Sequence, residues 1–93
     1  MGQSLVTNPG GLVHFILGLN VKSQADFMAR INVAYPRAGV RELKIAFELV
    51  GREIRRAAPY LAARARDPEH GKMFKATIER HRALLSAMDP KSL

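Results

Sequence analysis

The sequence predicts an all-α fold, a small compact bundle of four to five helices, from three observations. Apolar residues recur at steps of three and four along most of the chain. Helix start and stop signals punctuate it at Asn8-Pro9, Ser23, Pro36, Asp67-Pro68 and Asp89-Pro90. No segment shows the period-two alternation or β-branched clustering of a strand. With 93 residues, 47% of them hydrophobic, the chain has the size of one helical domain spanning 1–93 and an ordinary supply of core residues.

Residues 1–8 read as a loose lead-in. Asn8 then caps, and Pro9 opens, a first helix to about Leu19. Leu12, Val13, Phe15, Ile16, Leu17 and Leu19 go nearly all the way round it, so it should be buried or contact a partner. Gly10 and Gly11 weaken it by about 1 kcal/mol each. Ser23 caps a second helix, Gln24 to Tyr35, with Phe27, Met28, Ile31 and Tyr35 on one face and Pro36 ending it.

The third helix, Ala38 to Ala58, is the clearest. Val40, Leu43, Phe47, Val50, Ile54 and Ala57 form an apolar stripe about 100° wide. Arg41, Lys44, Glu48, Arg52 and Arg55 lie opposite, while Ile45 and Leu49 fall outside the stripe and predict packing on a second side of a central helix. Pro59 breaks or kinks the chain, leaving Tyr60 to Arg66 as a short helix. Asp67-Pro68-Glu69 starts the last helix, which runs to about Met88 with Met73, Phe74, Ile78, Leu84, Leu85 and Met88 on one face. Asp89-Pro90 stops it, and 90–93 form a tail.

Composition narrows the function classes. Net charge is +7, which favours a polyanionic partner: nucleic acid, an anionic membrane or an acidic protein. Up to Ala46 there are five cations against two acids, and after it ten against six, so the charge belongs to the domain and not to a tail. There is no cysteine, which excludes disulfides and zinc–thiolate sites and suits a cytoplasmic or intracellular protein. The longest apolar run, Leu12 to Leu19, is broken by His14 and Gly18 and is far short of the ~20 residues of a membrane span.

Catalytic constellations fail. His14, His70 and His81 give no i, i+4 pair and no HExxH. Ser4, Ser23, Ser86 and Ser92 lie in no GxSxG or SxxK motif, and Gly10-Gly11 is not followed by GK[ST]. Glu42, Glu48, Glu53 and Glu79 sit among cations, the opposite of the setting that raises a carboxyl pKa. The expectation is a protein that is no enzyme, with no cofactor, no metal and no small-molecule substrate. His81 falls near the centre of the last helix's apolar face, where a hydrogen-bonded, half-buried core histidine is the plain reading and a pH switch the sharper one.

The basic residues remain. Arg52, Arg55, Arg56, Arg64 and Arg66 stand against one acid, Glu53, within 51–66. Arg41 and Lys44 precede them, and Lys72, Lys75 and Arg82 form a second stripe on the last helix. Side by side in the bundle, these ten residues would make one positive surface for a phosphate backbone, with little reading of sequence. Interleaved Glu48 and Glu79 fit equally a solvated face with local ion pairs. A helix-turn-helix over Ser23 to Val50 is a further reading, with Gln24–Ile31 first, Asn32-Val33 as the turn and recognition from the segment after Pro36. With no Trp, four Phe and two Tyr, most rings are needed for the core, and nothing supports an exposed stacking platform for single strands.

Two function classes compete. The first is a small basic nucleic-acid-binding protein of low specificity. The second is an interaction module (adaptor, inhibitor or homo-oligomeric assembly subunit) that contacts a partner, such as an acidic protein, through Leu12, Phe15, Ile16, Leu19, Ile45 and Leu49. Met1-Gly2-Gln3 ahead of a small basic helical domain resembles retroviral matrix proteins, and a membrane-surface role stands third. Val6 occupies the place where the acylation signal has Ser or Thr.

Overall fold

The computed structural model describes residues 9–88, which form four α-helices: α1 (Pro9–Leu17), α2 (Gln24–Ala34), α3 (Val40–Arg64) and α4 (Gly71–Ala87). The expected Asn8 cap, the 1–8 lead-in and the helix stop and tail expected over 89–93 lie outside the described residues. The bundle is built around α3, which packs against both α1 and α4, while α2 packs on α4. One core cluster joins all four helices, from Leu12 and Ile16 through Phe27, Ile31, Phe47 and Val50 to Leu84 and Met88.

Local signals explain the starts. The Ser23 hydroxyl accepts from the Asp26 N–H at 3.1 Å, and Asp26 in turn accepts from the Lys22 N–H at 3.2 Å, so each side chain satisfies a donor at the start of α2. Those bonds, the Lys22 N–H first and Arg30 next, hold the Asp26 carboxyl below its usual range. At α3, Glu42 reaches back to the Gly39 N–H at 2.9 Å. Gln24 ties the two ends of the chain's fold together, donating its side-chain amide to the Ala87 carbonyl at 3.2 Å.

Five expectations change. The first helix ends at Leu17, where the Gly18 and Leu19 N–H groups bond back to Phe15 and Ile16 and tighten the last turn. Helix α2 runs through Asn32 and Val33, so the proposed turn of a helix-turn-helix is helical. Helix α3 runs unbroken through Pro59 for 25 residues, and Tyr60–Arg64 is its last part and not a separate helix. The missing Pro59 N–H leaves one carbonyl unpaired on an exposed stretch that water can reach, while Leu61 beyond it is buried and holds the helix to the bundle.

The last helix starts later than Asp67-Pro68 predicts. Asp67 accepts from the Glu69 and His70 N–H groups at 2.8 and 3.4 Å and closes a turn, and regular helix begins at Gly71. The first of those bonds dominates in holding the Asp67 carboxyl below its usual range. The expected apolar face of α4 is only partly buried. Leu84, Ala87 and Met88 are buried, whereas Met73 is 59% and Leu85 39% exposed. Because α4 touches both α3 and α2, its contact arc is centred between them.

Candidate nucleic-acid interface

Helix α3 carries Lys44, Glu48, Gly51 and Arg55 at steps of four, three and four, which is one row along the helix. All four line an open cleft of about 480 Å³ between α3 and the end of α4. Phe47, Gly51 and Met88 are its floor, and Leu85 is its far wall. The Arg55 guanidinium folds back across Gly51, with Nη1 3.3 Å from the point where a Cβ would stand.

Leu85 shows which side of α4 faces the cleft. Lys75, Ile78, Arg82 and Leu85 follow one another at steps of three, four and three, so Lys75 and Arg82 continue the Leu85 side. Of the ten cations, Lys44 and Arg55 on α3 line the cleft, while Lys75 and Arg82 are exposed on the outer side of α4 next to Leu85's face and do not line it. Arg41 and Arg52 extend the α3 row, and Lys72 lies one turn before Lys75.

All ten predicted cations are exposed. Ion pairing is local and sparse among the described residues: Arg56–Glu53 at 3.4 Å, Arg82–Glu79 at 3.1 Å, Arg30–Asp26 at 3.1 Å and His70–Asp67 at 3.6 Å. Among the described residues only Arg56 and Arg82 of the ten are in an ion pair, and both pairs are open to solvent and easily exchanged. Arg64 is not part of the cleft. It lies nine residues beyond Arg55, on the other side of α3. There its guanidinium sits 5.8 Å from the Tyr60 ring centre and 5.5 Å from that of Phe74, which meet edge to face at 6.1 Å. Arg66 lies in the turn after α3.

The six residues expected at a partner interface divide. Leu12 and Ile16 are in the core, at 3% and 0% exposure. Phe15 and Leu19 pack against it, and Phe15 meets Tyr35 edge to face at 5.4 Å. Leu49 is half-buried, and Ile45 is 48% exposed. Helix α1 thus spends its apolar surface inside the bundle.

Two features escaped the sequence reading. Gly51 looked like the edge of a basic cluster, yet it is buried and forms the cleft floor. Tyr60, given no side-chain role in the sequence, is 58% exposed and packs its ring against Phe74. His81 is half-buried, and the expected hydrogen bond is missing: its Nδ1 is enclosed without a partner. Burial, then the adjacent Arg80 charge, pushes the imidazole pKa below its ordinary value. Among the described residues no group of three His, Asp or Glu could hold a metal, and no helix is long and apolar enough to cross a membrane.

The Gly51 geometry makes a stability prediction. A methyl group there would press only on the tip of a flexible arginine, while alanine is favoured over glycine inside a helix by about 0.5–1 kcal/mol. Gly51→Ala should therefore stabilise the protein by that amount, read as a higher urea midpoint at an unchanged m-value; a lower midpoint would contradict it.

No protein-family model matches the chain, and no curated protein or solved structure matches it either.

Proposed function

We propose that this chain is a small, non-enzymatic, intracellular nucleic-acid-binding protein that holds phosphates on exposed basic rows of α3 and α4. The observation that carries the reading is the cleft rim on α3, where Lys44 and Arg55 have no acid partner among the described residues, with Lys75 and Arg82 exposed on α4. Arginine forks and lysine ammonium groups suit phosphate oxygens, and binding would release counterions from the nucleic acid. The cleft lining offers ionic and apolar groups, with no hydroxyl, imidazole or thiol for covalent chemistry.

Salt dependence tests it. Four phosphate contacts give a slope of log K against log salt of roughly −3 on single strands and −3.6 on duplex. Fluorescence anisotropy with labelled oligonucleotides should then show roughly 50- to 150-fold weaker binding on going from about 50 to about 200 mM salt. The double variant Lys44→Ala/Arg55→Ala should flatten the slope by roughly 1.5–2, whereas Arg64→Ala/Arg66→Ala should leave it nearly unchanged. Binding that is absent at low salt, or indifferent to salt, ends this reading. The exposed Ile45 beside Leu49 favours a protein-interaction module as the second reading, and light scattering that shows Ile45-dependent self-association would then put it first.

A further inference from the structure

Building on that reading, we propose that the floor of the α3–α4 cleft receives an unpaired base, so that the protein prefers single strands to duplex. A row of cations on a solvated surface needs no apolar floor. Here Lys44 and Arg55 rim a cleft whose base is Phe47, Gly51 and Met88 and whose wall is the 39% exposed Leu85. In a duplex the base faces are stacked on one another and cannot reach such a floor. A single strand can turn a base into it while its phosphates stay on the basic rows.

Three details fit a planar ring with polar edges. Gly51 has no side chain, so a ring can approach the helix backbone closely. The Arg55 guanidinium beside it is a flat cation, suited to stacking on a base. Glu48 also lines the cleft; it repels phosphate but accepts hydrogen bonds from a base amino group, which favours a base inside and phosphates on the outer rows. At about 480 Å³ the cleft lies within the range of small-ligand sites.

The test compares mixed-sequence single-stranded and duplex DNA of about twelve nucleotides or base pairs, at equal salt, against the whole chain. Native protein should bind the single strand at least about fivefold more tightly. Gly51→Leu and Leu85→Trp fill the cleft from opposite sides without changing charge. Each, with its helical circular dichroism intact, should lose the preference while keeping duplex affinity and its salt slope. The Leu85→Trp protein also carries the chain's only tryptophan, whose emission the single strand should leave unquenched if the indole occupies the floor. Equal or tighter duplex binding by native protein overturns the inference, as does a preference that survives in a folded filled variant. No salt-dependent binding to either strand form overturns the parent reading as well, so the two failures are distinct.

Discussion

Phe27→Ala should remove about 3–5 kcal/mol from the stability of this protein. The side chain is fully buried at 0% exposure and belongs to the single core cluster. Its ring lies 5.5 Å from that of Phe47 at a tilt of 44°, and this pair links α2 to the central helix. A chain of 93 residues is stabilised by roughly 5–14 kcal/mol in total, so the loss is a large share. The expected Tm falls by roughly 15 °C or more. Met73→Ala, on a 59% exposed residue of α4, should stay within about 0.5 kcal/mol of native. Urea denaturation of the two variants decides the point. If Phe27→Ala cost less than about 1 kcal/mol, the core would not pass through this residue.

Much of this architecture is legible in the sequence, and the exceptions have physical causes. Ser23 announces the start of α2 because a hydroxyl at that place satisfies a backbone donor whatever the tertiary fold. The spacing of Leu43, Phe47, Val50 and Ile54 announces the buried face of α3 because burial of one helix face requires it. Pro59 misleads because its cost is local, while what holds the helix beyond it is tertiary: Leu61 in the interior and Arg64 against two rings. Leu85 misleads for a related reason: periodicity ranks apolar residues on one helix and is blind to where its neighbours stand around it. Ala46 and Gly51 fell outside the expected stripe, yet both are buried on α3.

The candidate site shows the same division. The exposed arginines and lysines are visible in composition, and their separation into an α3 row and an α4 row follows from spacing alone. That Lys44 and Arg55 border a cleft depends on how α4 lies along α3. So does the departure of Arg64, which charge counting places with its neighbours and helix geometry places on the other side.

The connection between α3 and α4 supplies the second large effect. Gly71→Ala should destabilise the protein by about 1–3 kcal/mol, the range of overpacked sites, although alanine is the better helix former. A Cβ at Gly71 would stand 2.6 Å from the Ala65 carbonyl oxygen and 3.3 Å from its carbon. Unlike the arginine tip over Gly51, this obstacle is backbone, and it is held: the Ala65 N–H bonds to Leu61 and the Gly71 N–H to Asp67, both at 2.8 Å. Relief requires the turn to open and the first residues of α4 to move away from α3. The Tyr60–Phe74 ring pair spans that junction, so its geometry should loosen together with hydrogen-exchange protection in the first turns of α4. The two glycine variants should thus move stability in opposite directions from the same chemical change. A Gly71→Ala protein as stable as Gly51→Ala would mean that α4 does not approach Ala65 this closely, and the register that brings Leu85 to the cleft would fall with it.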